Sequence, residues 1–329
     1  MNEILASLDK DTQKSIQIAS KVEVRRLPNP SIGITKELRG GLRFGGVHLF
    51  WGPTGSGKTL NAYETLALAQ KMGYTCALVD SETAFTNEWA SELGINTEEL
   101  AIITTKSMEL ATNQVMKLLK AGVDVVLIDS VSELTPPGEF EKDSGELKEM
   151  SGVGAIGAQA RGIRAMLGKI TNVLGDSLVL MISQQTTEIT QNGGIQKPQG
   201  GNRMAHVAST SIKFGSPMAE KNRKMGDVTE GDLIFQKVTG RPVNWQITKE
   251  RGPGMHAKGN YDIYFAGDFV GIDKVGELVD YGIHYGIIAK GGSWLTIYDH
   301  RVQGRDNAIK YVRENKEVQD TLEAELLAK

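Results

Sequence analysis

Short apolar runs alternate along this chain with longer segments whose apolar positions recur every three or four residues. Residues 47–51 (VHLFW), 75–80 (TCALVD) and 123–129 (VDVVLID) have the length and composition of buried strands. Helical segments follow the first of these, from Leu60 to about Lys71, and precede the third, from Glu109. Ile163, Met166, Leu167, Ile170, Val173 and Leu174 fall at helical spacing and lead into a fourth strand at 178–183 (LVLMIS). Strands joined by amphipathic helices predict an α/β fold with a central, mainly parallel sheet. Strand-like runs at 208–214, 233–238, 243–248 and 261–265 close this large unit, and from Gly267 the pattern turns helical. Two polar stretches, 135–157 and 186–206, break the rhythm and read as long loops of the kind that carry function.

Composition narrows the classes. A chain of 329 residues has room for one large domain and a smaller one. With 40% apolar and 23% charged residues, and no apolar run long enough to span a bilayer, the expectation is a soluble protein with no membrane partner. The first residues, MNEILASLDKDTQKSIQ, have neither the apolar core of a secretory signal nor the arginine-rich character of a transit peptide, so the expected compartment is the cytoplasm, or the host cytoplasm if the chain is phage-encoded. The single cysteine, Cys76, excludes an internal disulfide and reads as a buried, inert thiol. A net charge of −3 argues against an extended basic coat but leaves room for a local patch that binds polyanions.

The clearest chemistry is the stretch GPTGSGKT between the first strand and its helix. Gly52, Pro53, Thr54, Gly55, Ser56 and Gly57 form a loop whose backbone N–H groups curl around phosphates. Lys58 then reaches the β and γ phosphates of ATP, and Thr59 offers its hydroxyl to Mg²⁺. Asp129, ending the strand VVLID, stands where a phosphate-loop protein keeps the carboxylate that holds Mg²⁺ through water. A third strand end, CALVDSE, brings Asp80 and Glu82 beside the loop if the strands are neighbours. Either carboxylate could position the attacking water, and Glu82, past the strand end, has the longer reach.

The order of these pieces resembles the RecA-family recombinases, bacterial RecA and the phage UvsX type, over most of the chain. The resemblance implies a RecA-like phosphate-loop NTPase core over 31–266, a short oligomerisation arm over 1–30, and a small C-terminal α/β domain over 267–329. VDSETAF implies Glu82 as the water-activating residue, and the following WASELGI implies Trp89 as the platform for adenine. VVLIDSVSELTP is similar to the family's second nucleotide motif and the first DNA-binding loop after it, within 138–157, which contains Gly154 and Gly157. In MISQQ, Gln184 corresponds to the residue that senses the γ-phosphate and leads into the second DNA loop.

That second loop ends in QGGNRMAH. Its Gly200 and Gly201 suit close approach of backbone to phosphates, Asn202 suits a helix cap, and Lys197 and Arg203 supply charge. The loop departs from many single-strand binders in having no aromatic residue, which leaves Ile195 as its sizeable apolar candidate for insertion between bases. In QITKERGPG, Lys249 and Arg251 match the basic pair that the family sends across the protomer interface to a neighbour's ATP, and a Lys and Arg pair leans toward the phage form. Residues 271–326 resemble the small C-terminal domain of bacterial RecA without its long acidic tail, with Trp294 expected in that domain's core. The arm pairs apolar Ile4, Leu5 and Leu8 with a strand-like KVEVRRLP that would pack on an adjacent protomer.

The resemblance implies an ATP-hydrolysing protein that coats single-stranded DNA as a helical homo-oligomeric filament and pairs it with homologous duplex DNA, with single-strand-binding and mediator proteins as further partners. The rival readings are a ring-forming helicase or branch-migration motor on the same core, a non-DNA ATPase switch that uses RecA-like packing for regulation and, in a different class, a single-strand coating protein that uses ATP only as structural glue. No primase-binding or zinc-binding module is evident, which weighs against the helicase, and Glu82 weighs against the glue.

Overall fold

The computed structural model describes residues 23–137, 157–190, 193–200, 202–215, 223–230, 233–251, 257–267 and 269–329. The chain enters through β1 (Arg26–Leu27), α1 (Ile32–Glu37) and β2 (Leu42–Arg43), then alternates β3 (Gly46–Gly52), α2 (Lys58–Lys71), β4 (Cys76–Asp80), α3 (Asn87–Glu92), β5 (Leu100–Thr104), α4 (Met108–Lys120) and β6 (Val125–Asp129). After residue 156 come α5 (Ala158–Val173), β7 (Leu178–Thr190), β8 (Gly193–Pro198), α6 (Asn202–Val207) and β9 (Thr210–Phe214). In the large sheet β5, β4, β6, β7, β3 and β9 lie side by side in that order, all parallel.

Burial on both faces explains why the four strands anticipated from the sequence are continuous apolar runs rather than alternating ones. Phe50, Leu78, Leu127 and Leu180 point to one side, where α2 packs Leu60, Tyr63 and Leu66 against them. Leu49, Val79, Ile128 and Met181 point to the other, where α4 and α5 contribute Val115, Leu119, Ile163 and Leu167. Cys76 is buried on the first face and its thiol is pushed up to about 12, so it is inert as expected.

Beyond β9 the sheet turns antiparallel through β10 (Lys224–Glu230), β11 (Leu233–Glu250), β12 (Lys258–Tyr264) and β13 (Gly271–Ile272). Two separate strands were expected where the single β11 runs. Pro242 does not break it, because pairing with β10 stops at Gly240 and pairing with β9 starts at Trp245, so the missing N–H falls where β12 alone is a partner. The polar stretch 186–206 is not a plain loop either. β7 continues to Thr190 and turns back as β8, with Gln185 opposite Pro198 and Glu188 opposite Ile195. β5 and β10, short on apolar alternation, were not anticipated.

A third core belongs to α7 (Lys274–His284), the antiparallel sheet of β14 (Ile288–Gly291), β15 (Trp294–Ile297) and β16 (His300–Gln303), and helices α8 (Arg305–Glu314) and α9 (Lys316–Ala328). Here Trp294 corrects the sequence reading. It is 40% exposed with Arg301 over its ring, because strand alternation sends Leu295 and Ile297 inward and turns Trp294 out. The arm reading is corrected in part as well. Residues 1–22 lie outside the described residues, but β1 pairs with β2 of its own chain and Leu27 is fully buried in the main core.

A buried carboxyl helps to join the two units, alongside Ile32 in the third core and Lys36 Nζ donating to the Leu326 carbonyl. Glu277 on α7 accepts from Ser31 Oγ at 2.8 Å and from Ile32 N at 3.1 Å, at the start of α1. Burial lifts it to about 8, against the bonds from Ser31 and the α1 backbone, which favour its charged form. Because the folded value lies above the unfolded one, the folded state holds an extra proton between pH ~4.5 and ~8, and the associated stability is lost as pH rises through that window. In Glu277→Gln that contribution disappears, so urea unfolding from pH 5 to 8.5 is expected to show the variant gaining on the wild type by more than about 1 kcal/mol toward the alkaline end.

Candidate functional site

The carboxyl ends of the parallel strands converge. Across β4 and β6, Asp80 lies opposite Asp129, and across β3 and β7, Gly52 lies opposite Gln184. Ligands of open α/β sheets bind at such an edge. The loop from Gly52 to Gly57 follows β3, and its glycines have steric reasons. A Cβ on Gly52 would lie 2.3 Å from the Phe214 carbonyl oxygen, and Gly57, at φ 94°, takes the left-handed conformation that starts α2 without a side-chain cap. The first-turn N–H groups of a 14-residue helix are therefore available to an anion. Pro53 and Gly57 are half-buried, Thr54 and Gly55 exposed, and Ser56 buried.

Lys58 is folded back into this loop. Its Nζ donates to the carbonyls of Pro53 at 2.8 Å and Gly52 at 3.1 Å, with Ser56 Oγ at 3.5 Å. Burial lowers its pKa, and the charges of Asp129 and Glu82 pull it back up. Asp129 is only 5% exposed, and its Oδ1 has no hydrogen-bond partner. Burial, then the Glu82 charge, pushes it up to about 7, opposed by a hydrogen bond from the Thr59 hydroxyl and by Lys58.

Among the described residues no cluster of three or more His, Cys, Asp or Glu could hold a metal alone. A buried carboxylate oxygen without a partner, next to a threonine hydroxyl at a phosphate loop, nevertheless fits Mg²⁺. That ion takes one or two protein oxygens and completes its shell with water and substrate phosphates.

The two acids after β4 have separate environments. Asp80 is buried and accepts from Ala84 N at 3.3 Å and Phe85 N at 3.2 Å, which folds the segment back through Thr83 at φ 56°. Glu82 sits exposed on the crest of that turn, close enough for its charge to act on Lys58 and Asp129. Trp89, on α3, is half-buried against the main core.

Gln184 is bonded in two directions. Its N–H donates to Ser132 Oγ at 2.9 Å and its Nε2 to Glu133 Oε1 at 3.1 Å, while its carbonyl accepts from Gln199 N at 2.8 Å, at the end of the β7–β8 hairpin. Ile195 projects from that hairpin 57% exposed, and Lys197 is paired across it with Glu188. Gly200, at φ 104°, packs against α5, where a Cβ would meet Ile163 Cδ1 at 2.4 Å. Gly157, at φ 80°, starts the same helix. Gly154 and Gly201 lie outside the described residues, and Asn202 and Arg203 are described as the start of α6 without their side chains.

Lys249 and Arg251 do not project freely. Lys249 Nζ donates to the carbonyls of Ala205 at 2.6 Å and His206 at 2.7 Å, and Arg251 Nη2 to His206 at 3.0 Å. The end of β11 sets both cations against the C-terminus of α6, whose carbonyls attract positive charge. Arg241 was missed by sequence reasoning. It lies in the gap that β11 leaves between its β10 and β9 partners, where β12 alone pairs with it, and donates through Nη2 to the Gly55 carbonyl. Nothing local in TGRPV marks it, since the gap is a tertiary feature.

Fold and site together define a phosphate-loop nucleotide-binding protein. The RecA N-terminal domain family matches residues 1–267, and the RecA C-terminal domain family matches 276–329. Protein RecA of Teredinibacter turnerae is 32% identical over 294 residues, 88% of this chain and 80% of that protein. Protein RecA of Paracoccus denitrificans is 32% identical over 312 residues, 93% and 82% of the two chains. Protein RecA of Parvibaculum lavamentivorans is 33% identical over 313 residues, 93% and 80%. The chain belongs to the RecA family, and with it to the DNA-dependent ATPases of recombination and repair that bind nucleotide and DNA. No described helix is long and apolar enough to cross a membrane.

The split between Asp80 and Glu82 is testable without any ligand. Asp80→Ala strands two backbone N–H groups and is expected to cost about 2 kcal/mol in urea unfolding, whereas exposed Glu82→Gln stays within about 0.5 kcal/mol of the wild type.

Proposed function

We propose that the chain binds ATP with Mg²⁺ at Gly52 to Thr59, assembles as a helical filament on single-stranded DNA, and pairs that strand with homologous duplex in strand exchange, hydrolysing ATP in turnover. The observation that carries this reading is the hydrogen-bonded path from the phosphate loop to the second DNA loop. Gln184 lies opposite Gly52 in the sheet and is joined by its own carbonyl to Gln199, where the hairpin ends. A change at the γ-phosphate reaches the DNA loop through a single residue.

The roles proposed rest on the family resemblance together with the site's geometry. Loop N–H groups and the α2 N-terminus bind the phosphates, with Lys58 leaving the carbonyls of Gly52 and Pro53 for them. Thr59 and Asp129 hold Mg²⁺, which when bound neutralises phosphate charge. Glu82, exposed beside the loop, orients the attacking water and draws its proton, while Asp80 remains committed to its turn. Trp89 offers its ring to adenine. Ile195, Lys197, Gly200, Gly201, Asn202 and Arg203, with Gly154 and Gly157 of the first loop, form the DNA surface. Both loops bear on α5, since Gly157 begins it and Gly200 packs on it. Lys249 and Arg251 reach the ATP of a neighbouring protomer and exchange the α6 carbonyls for phosphate. The compartment proposed with this activity is the cytoplasm.

Glu82→Gln is expected to keep ATP binding while slowing hydrolysis at least about 10²-fold, with longer-lived filaments. Near-normal turnover would move the water-activating role elsewhere. Rates with and without single-stranded DNA, together with pairing of a labelled strand with homologous duplex, separate this reading from its rivals. A helicase unwinds without homology, and a switch ignores DNA.

The interface has its own test. Lys249→Ala with Arg251→Ala is expected to abolish DNA-stimulated hydrolysis yet retain nucleotide binding. Mixing it with Lys58→Ala protein restores activity where an intact loop meets intact cations. No recovery in co-assembled mixtures would place every catalytic group within one chain.

A further inference from the structure

We propose that Arg241 is a second phosphate-binding cation of this nucleotide site, supplied by the same chain from β11 and closing over the loop opposite Lys58. The inference rests on the reading of residues 52–59 as the nucleotide site, and adds to it a residue that no loop motif contains.

Three observations carry it. First, position: between the end of pairing with β10 at Gly240 and its start with β9 at Trp245, β11 is paired with β12 alone, and its other edge is left to the phosphate loop. Arg241 Nη2 there donates to the Gly55 carbonyl and lies 3.9 Å from where a Cβ on Gly57 would sit, with Val243 filling the space beside it. The guanidinium thus spans the two glycines at the entrance to α2. Second, its charge is unanswered. Among the described residues no carboxylate pairs with it. One nitrogen is taken by a neutral carbonyl, and the plane rests 5.9 Å from the ring centroid of Phe265. Third, burial is the largest influence on its pKa and lowers it, with Tyr261 opposing and the nearby charge of Arg223 adding to the lowering, so its charge is held partly out of water beside another cation. A half-buried arginine with donors to spare beside an anion-binding loop suits the planar, multidentate contact that guanidinium makes with phosphate. Since Gly55 and Gly57 frame the part of the loop that ADP and ATP share, the contact serves both nucleotides.

Calorimetric titration of the full chain with Mg-ADP and with a slowly hydrolysed Mg-ATP analogue tests this, using two variants. Arg241→Gln keeps a donor for the Gly55 carbonyl but no charge, and Arg241→Lys keeps the charge. The expected result is a loss of about tenfold or more for both nucleotides in Arg241→Gln, shrinking as salt is raised, and recovery to within about threefold of the wild type in Arg241→Lys. Wild-type affinity in Arg241→Gln would overturn the proposal. So would equal losses in both variants at every salt concentration, which would make Arg241 a brace for the loop and not a ligand. If the unaltered chain bound neither nucleotide, the reading of the site itself would fall. That result is distinct from binding that the substitutions leave unchanged.

Discussion

The structure depends on an electrostatic imbalance held at the end of a parallel sheet. Asp129 is buried with one oxygen unpartnered, Asp80 lies opposite it on the next strand, and Glu82 adds a third negative charge within range. Against them stands Lys58, itself weakened by burial. Carboxylates do not remain ionised in such a place without compensation, so Asp129 is pushed toward protonation in the free protein. A hard cation together with phosphates supplies what the cluster lacks. The apolar strands, packed on both faces by helices, keep these groups from spreading apart to relieve the strain.

The same strand ends feed the rest of the molecule. Gln184 stands one strand from the phosphate loop, and its backbone closes the β7–β8 hairpin through Gln199, reinforced by Ser183 Oγ donating to the Gln199 carbonyl at 3.0 Å. Ile195 stands exposed on this hairpin, which is tied at its base. Helix α5 offers a common abutment, since one end begins at Gly157 and its flank receives Gly200.

What the sequence revealed tracks how local the physical cause was. The phosphate loop was legible because its glycines, lysine and threonine are required within eight consecutive positions between a strand and a helix. Asp129 was legible as a strand end and Gln184 through the family resemblance, but their placement beside the phosphate loop needed the sheet order, and β7 runs on past Gln184 to Thr190. The hairpin over 185–198 was hidden because a largely exposed two-stranded ribbon has no apolar alternation to declare it. Trp294 was misread because its size suggested burial, while strand parity turned it out. The continuity of β11 past Pro242, and with it the placement of Arg241, depended on where two other strands stop, which no window of sequence around residue 241 contains.

Lys249 and Arg251 illustrate the same limit and lead to a mechanical consequence. In the single chain they neutralise the C-terminus of α6, a helix end carrying about half a unit of negative charge. A nucleoside triphosphate presents several full charges and stronger acceptors, so on the proposed interface a neighbour's phosphates would outcompete those carbonyls for the same two cations. Burial and the adjacent Arg251 already depress the pKa of Lys249, so the charge that moves is held at a cost in the isolated protomer. On the proposed interface, assembly around ATP would take away the cations that hold the end of α6, whose first residues follow the proposed second DNA loop. Interface formation and loop release would then be one event, and that coupling is part of the proposal.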